Sequence, residues 1–249
     1  GSATASSATA DTGAAGRPAL PRAVFRTEPE EIGVDGFPTV VWEPGVEPDY
    51  FKVDALFFHA HPDDETLDFG VLLRRLADSG KRTAVVLFTD GDSGLDQYPW
   101  RQVGEGYPAY DLTGSDLAEI RVEEARSAMS LLGVNHYVRL GLKNNPYGGI
   151  ADELSTDAVV AAWGGEEKLV EQISSLILGY SPEIIVSTEP PSEALEHFEH
   201  ETVGYLVDAA LKKLEREGAF EPAGRLVSID PLQKGLFPEA AGIQSEVSG

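Results

Sequence analysis

Short apolar runs alternate with segments of helical spacing along most of this chain, and that alternation limits the fold more than any other feature. Val53–Phe58 is an apolar run ending in aromatics. Leu67, Val71, Leu72 and Leu76 follow at helical spacing, and Gly80 closes that helix. Thr83–Phe88 is a second strand. Asp116 with Glu119 reads as a capping box that opens a helix with apolar positions Leu117, Ile120, Met129 and Leu132, ended by Gly133. Tyr137–Leu140 is a third strand. Glu166–Leu178 is a helix stopped by Gly179 and Pro182, and Glu183–Ser187 is a fourth strand. Glu199–Glu217 is a helix ended by Gly218, and Arg225–Ile229 is a fifth strand.

Near-continuous apolar strands separated by helices imply parallel strands covered on both sides. The expectation is an α/β fold: a single Rossmann-like domain, with a mostly parallel sheet and helices on both faces. Proline-rich residues 17–50 read as an N-terminal arm laid over the domain, with only Thr39–Trp42 as a strand. Residues 1–16 are mostly small and polar, with nothing to bury, and read as a disordered leader. The domain is placed at 51–249. The chain opens Gly1-Ser2, like a cloning remnant. The leader fits an extracytoplasmic protein whose signal has been removed; otherwise the chain is read as cytoplasmic.

Charge excludes several partners. With 19 Lys plus Arg against 42 Asp plus Glu, the net charge is −23. Phosphate backbones and anionic membranes both call for clustered basic residues, so nucleic acid and electrostatic membrane docking are not expected. No apolar run reaches the ~20 residues of a membrane span, so no stable membrane insertion is expected either. The charge disfavours strongly anionic substrates and suits a neutral saccharide. The chain has no cysteine, which removes thiol catalysis and thiolate metal sites.

Ligands of such sheets bind beyond the carboxyl ends of the strands. Those ends carry His59-Ala-His61-Pro-Asp63-Asp64-Glu65, then Thr89-Asp-Gly91-Asp-Ser-Gly94, then Gly141-Leu-Lys143, then Thr188 to His200. His61 and Asp64 stand three apart at a strand-to-helix turn, and His197 and His200 stand three apart at a helix start. Each pair can present two groups to one crevice. Two His and one carboxylate with an open position form a catalytic metal set. Adjacent Asp63 and Asp64 point in different directions. One can bind metal while the other takes a proton from water that the metal has acidified.

Each feature alone also has a plainer reading. Asp63-Asp64-Glu65 can be a charge cluster at a helix start, and His197 and His200 can be surface residues. Both clusters falling at strand ends of one sheet favours the site. His59 reads as packed or supporting, and His136 as structural. The glycines at 91 and 94 read as permitting close backbone approach; no dinucleotide fingerprint or phosphate-loop Lys accompanies them.

Ala60-His61-Pro-Asp63-Asp64-Glu65 resembles the signature of the PIG-L/LmbE-like N-acetylglucosamine deacetylases. The likeness continues through Thr89–Gly94, Arg121-Val-Glu-Glu124-Ala125 with Leu132-Gly133-Val134, and His197-Phe-Glu-His200-Glu-Thr-Val-Gly204, over roughly residues 53–215. It implies a zinc-dependent hydrolase removing acetyl from a GlcNAc-containing sugar or glycoconjugate, with another divalent metal as an alternative. It further implies His61, Asp64 and His200 as metal ligands, Asp63 as general base and then acid, and His197 as oxyanion stabiliser. Arg121 would contact sugar hydroxyls or pair with a carboxylate. Alternatives are an amidase of amino-sugar thiol conjugates and a non-catalytic glycan-binding protein. The oligomeric state is left open.

The sequence departs from the family pattern at Phe198 and Glu199, which stand between the two histidines where Pro-Asp is usual. Asp68 and Phe69 replace small residues, with a changed pocket shape expected, and the carboxyl-terminal portion is short. Tyr98, Trp100, Tyr107 and Tyr110 fall in the long Leu95–Gly114 connection. It is expected to act as a sugar-selecting lid with Tyr98 and Trp100 on substrate.

Overall fold

The computed structural model describes residues 30–34, 37–94, 114–144, 155–188, 198–228 and 244–246. In chain order its elements are β1 (Glu30–Val34), β2 (Phe37–Trp42), β3 (Ala55–His59), α1 (Asp64–Leu67), α2 (Gly70–Asp78), β4 (Thr83–Thr89) and α3 (Gly114–Leu132). There follow β5 (His136–Leu142), α4 (Thr156–Ala162), α5 (Glu166–Tyr180), β6 (Ile184–Thr188), α6 (Phe198–Arg216), β7 (Gly224–Ser228) and β8 (Gln244–Glu246). The strands form one sheet in the order β1-β2-β5-β4-β3-β6-β7-β8. All neighbours from β2 to β7 are parallel, and only the edge strands β1 and β8 run antiparallel. This is the α/β arrangement expected from the alternation.

Residue parity along the strands divides the core into two layers. Leu56, Phe58, Val86, Phe88 and Val138 face α4, α5 and α6, where Trp163, Leu169, Ile173, Val203 and Leu206 cover them. Phe57, Val85, Leu87 and Tyr137 face α2 and α3, where Phe69, Leu73, Ala125 and Met129 cover them. Burial on both faces explains why β3 and β4 read as unbroken apolar runs.

Several local expectations are corrected. The first helix breaks at Asp68, and α2 restarts with Phe69 as its N-terminal flank. The break turns Phe69 and Leu73 inward, so Leu67 and Val71 are exposed at 68% and 73% instead of facing the core. Phe69 stands edge-on to Phe57 at 5.5 Å between ring centres and belongs to the core, not to a pocket wall. Asp116 is not a cap, because α3 has already begun at Gly114. Gly179 does not stop α5, which runs to Tyr180 and closes at Ser181 in the left-handed region. A Cβ on Gly179 would lie 2.5 Å from the Tyr50 ring, so this glycine serves close packing. Residues 37–42, placed in the N-terminal arm, are a strand of the sheet: β2 pairs with β5 from Val40↔His136 to Trp42↔Val138. The helix α4 and the edge strands β1 and β8 had no counterpart in the sequence pattern. The leader 1–16 lies outside the described residues. Among the described residues no helix is long and apolar enough to cross a membrane.

The order of the sheet places the site. From β3 the chain adds β4 and then β5 on one side, and crosses back to lay β6 on the other side of β3. Neighbouring strands whose connections diverge leave a crevice at their carboxyl ends. The turn after β3 carries His61 to Glu65, and the start of α6, following β6, carries Glu199 and His200.

Candidate metal centre

The turn leaving β3 folds around the Asp64 carboxylate. Oδ2 of Asp64 accepts the backbone N–H groups of Ala60 at 3.0 Å and His61 at 2.9 Å. This leaves Oδ1 facing α6, where it lies 3.2 Å from Nε2 of His200. The same Nε2 lies 3.1 Å from Nδ1 of His61. Thr188, the last residue of β6, donates its hydroxyl to the His200 carbonyl at 2.7 Å and anchors the start of α6 to the sheet.

His61 is held from its far side. Its Nε2 is 2.5 Å from Oε2 of Glu199, and Nδ2 of Asn144 donates to the same oxygen at 2.5 Å. A carboxylate on Nε2 keeps the proton there and leaves Nδ1 with its lone pair toward His200 and Asp64. Asn144 in turn accepts the Ser93 N–H at 2.9 Å and the Ser93 hydroxyl on its carbonyl at 2.8 Å. The loops after β4 and β5 thereby share one frame with α6.

Electrostatics keep the carboxylate ionised. Burial would raise Asp64, but His200 beside it, with His61 and His59, holds its carboxyl well below the usual carboxylate range. His59 is fully buried at the end of β3 and donates Nδ1–H to the His61 carbonyl at 2.9 Å. Burial draws its pKa down to about 4, so this ring stays neutral at physiological pH and supports the turn.

His61, Asp64 and His200 each bring one ligand atom to a common point, with all three atoms within 4.8 Å of one another and all three residues buried. Two imidazole nitrogens and an ionised carboxylate are a donor set that divalent zinc and several other transition metals accept. The residues present therefore fit such an ion.

Asp63 faces elsewhere. Nη2 of Arg121, on α3, donates to Asp63 Oδ2 at 3.0 Å and to the Pro62 carbonyl at 2.7 Å, while Nη1 donates to the Gly91 carbonyl at 3.1 Å. Partial burial and the neighbouring Asp64 push the Asp63 pKa up, and Arg121 opposes them. Gly91 and Gly94 make room for this guanidinium: a Cβ on either would stand 2.3 Å or 2.6 Å from Nη1. The glycines expected to admit backbone in fact admit an arginine side chain. Burial, and then Asp64, push Glu65 up to about 7.

The structure thus brings His61, Asp64 and His200 together, with Asp63 beside them and Arg121 on Asp63. His197, Tyr98 and Trp100, with Tyr107 and Tyr110, lie outside the described residues. Glu199 and Asn144 were missed as site residues. Glu199 had a signal, since it stands directly before His200, a candidate ligand, where the family pattern has an acid. Asn144 had none beyond its place at a strand end.

The family model described as PIG-L, GlcNAc-PI de-N-acetylase, matches residues 56–211. The 1D-myo-inositol 2-acetamido-2-deoxy-alpha-D-glucopyranoside deacetylase of Corynebacterium urealyticum is 32% identical over 187 residues, covering 68% of this chain and 54% of that protein. Its namesake from Corynebacterium diphtheriae is 28% identical over 143 residues, covering 57% and 47%. The chain spans about half the length of these curated relatives. Among solved structures, the 4-carboxy-2-hydroxymuconate hydratase GalB of Pseudomonas putida KT2440 matches with a TM-score of 0.53 at 19% identity, over 75% of this chain and 70% of that one. That likeness carries the fold and not the reaction. The span matched by the family model runs from β3 into the body of α6 and includes both halves of the centre: the chain is a member of the PIG-L family.

Proposed function

We propose that this chain is a zinc-dependent N-deacetylase acting on a GlcNAc-containing sugar or glycoconjugate. The observation that carries the proposal is the convergence of His61, Asp64 and His200, with Asp63 beside them on a separate partner. A glycan-binding module has no need for three buried ligands and an adjacent carboxylate. Relatives bearing a GlcNAc-inositol deacetylase name make that conjugate the first substrate to try.

His61, Asp64 and His200 would hold the ion, and Glu199 would orient His61 from behind. When bound, a zinc ion would supply Lewis acidity and lower the pKa of water held on it toward about 7. Asp63 takes the proton of the attacking water, and its Oδ2 contact with Arg121 holds the carboxylate in place for that transfer. The same proton then passes from Asp63 to the departing amine, so each turnover ends with the carboxylate ionised again. His197 is assigned to the oxyanion and Arg121 to the ordering of Asp63, with sugar contacts for Tyr98 and Trp100. A net charge of −23 favours a neutral saccharide over a strongly anionic one.

The test is acetate release from free GlcNAc, chitin oligosaccharides, GlcNAc-inositol and a peptidoglycan fragment, each with zinc and after chelation. Release that is lost on chelation and restored by zinc is expected from at least one member. No release from any member by protein with its metal content verified would sink the proposal, and would favour amide cleavage of an amino-sugar thiol conjugate or a binding role.

A further inference from the structure

We infer that Glu65 is a positioning residue for Asp63, fixing the backbone conformation that presents the Asp63 carboxylate to Arg121 while Asp64 faces the histidines. The inference rests on the reading of Asp63 as the general base. Asp63 has φ 151° and ψ −28°. Among the described non-glycine residues only Asp63 and Ser181 have positive φ, and Ser181 at 42° closes a helix in the left-handed region. An L-residue at 151° is strained, and such strain persists only where the surroundings over-determine it.

The surroundings do so through the peptide group that joins Pro62 to Asp63. Its carbonyl accepts Nη2 of Arg121 at 2.7 Å. Its N–H donates to Oε2 of Glu65 at 3.0 Å. The φ angle of Asp63 is the rotation of this peptide plane about the N–Cα bond, and the plane is pinned at both edges. The next peptide is pinned as well, because the Asp63 carbonyl accepts the N–H groups of Thr66 and Leu67 at 2.9 Å each. Glu65 is itself fixed: it is 2% exposed, and its Oε1 accepts the Thr66 hydroxyl at 3.0 Å. Without Glu65 one edge of the first plane is released, the strain relaxes, and the Asp63 carboxylate turns away from Arg121.

Glu65→Met keeps the length and loses the acceptor, and Glu65→Gln keeps an acceptor oxygen. Both would be made in the full chain, alone and with Asp63→Ala, and assayed with zinc on the fastest substrate of the panel. Glu65→Met should lower kcat about a hundredfold, with KM and zinc content unchanged, while Glu65→Gln stays within roughly fivefold of the unmodified chain. Glu65→Met with Asp63→Ala should be no slower than Asp63→Ala alone, because Glu65 acts only through Asp63. A crystal structure of Glu65→Met should show Asp63 outside the positive-φ region; Glu65→Ala replaces it if the Met variant does not fold. Asp63 still at positive φ, or a full additional loss of rate in the double variant, overturns the inference. An Asp63→Ala chain as active as the unmodified one overturns the base reading instead, and the crystallographic result still decides what Glu65 does to the backbone.

Discussion

The guanidinium of Arg121 fills the volume that a side chain at position 91 would need, since a Cβ there would meet Nη1 at 2.3 Å. Gly91 sits at φ 71°, and Gly80 has the same φ with open space around it. Gly80→Ala therefore measures the backbone cost alone, about 1–2 kcal/mol. Gly91→Ala should cost about 1–3 kcal/mol more through displacement of the arginine, and should lower kcat as Asp63 loses its partner. Urea unfolding of both variants and the kinetics of the second check this. Equal costs at the two positions would mean that Arg121 moves aside freely.

Glu199 should set metal affinity without touching the metal. Removal of a carboxylate that orients a ligand histidine weakens metal binding by about 10–100-fold. Competition with a chromophoric chelator on Glu199→Ala is the measurement. Asn144→Ala should destabilise the chain by about 1–3 kcal/mol, because it strips a partner from the buried Glu199 carboxylate and from the Ser93 N–H. Unchanged affinity in Glu199→Ala would show that His61 is held well enough by its own turn.

Glu43 ties the first strands to the rest of the sheet. It follows β2 and pairs with Arg126 of α3 and Arg139 of β5, and all three side chains are largely buried. Breaking a buried ion pair from one side costs about 3–5 kcal/mol. Arg126 retains Glu123 and Arg139 retains Asp90, which places Glu43→Ala near about 3 kcal/mol. Chemical denaturation of this variant gives the figure directly, and a loss under about 1 kcal/mol would remove Glu43 as a tie.

His136 should make the fold sensitive to mild acid. Its Nδ1 accepts from Trp42 Nε1 at 3.2 Å and meets the Tyr180 hydroxyl at 3.0 Å, so the folded chain needs this nitrogen unprotonated. Burial draws its pKa down to about 4, with Asp49 opposing, against the usual 6.5. The unfolded chain binds the proton first as pH falls. The contribution of His136 is therefore complete above pH 6.5 and is lost progressively toward pH 4, by roughly 3 kcal/mol at most. The urea midpoint between pH 7 and 4.5 should fall less steeply in His136→Gln than in the unmodified chain. Parallel slopes would assign the acid sensitivity elsewhere.

What could be read from the residues followed their periodicity. Strands β3 and β4 were legible because burial on both faces makes them continuous apolar runs, and β5, β6 and β7 as shorter apolar stretches that each follow a helix. His61, Asp64 and His200 were legible because their spacing placed them at strand ends. The break at Asp68 was not legible, since Leu67 and Val71 keep a helical phase that only the restart at Phe69 overrides. Gly179 looked like a stop because nothing local shows that the Tyr50 ring lies against it. Asn144 and Glu43 gave no signal, because their partners are brought to them only by the sheet order.

The crossing from β5 back to β6 has a consequence for how the molecule matures. His61 and His200 are 139 positions apart, and they meet only when β6 has paired with β3. The turn after β3 carries two of the three donors, His61 and Asp64, and the first turn of α6 carries the third, His200. A nascent chain that has completed β5 offers no centre, however much of its sheet has formed. An ion that recognises only the finished arrangement favours it by mass action and leaves earlier stages untouched. Metal would then latch the two halves of the sheet together, and occupancy would report that β6 has paired with β3.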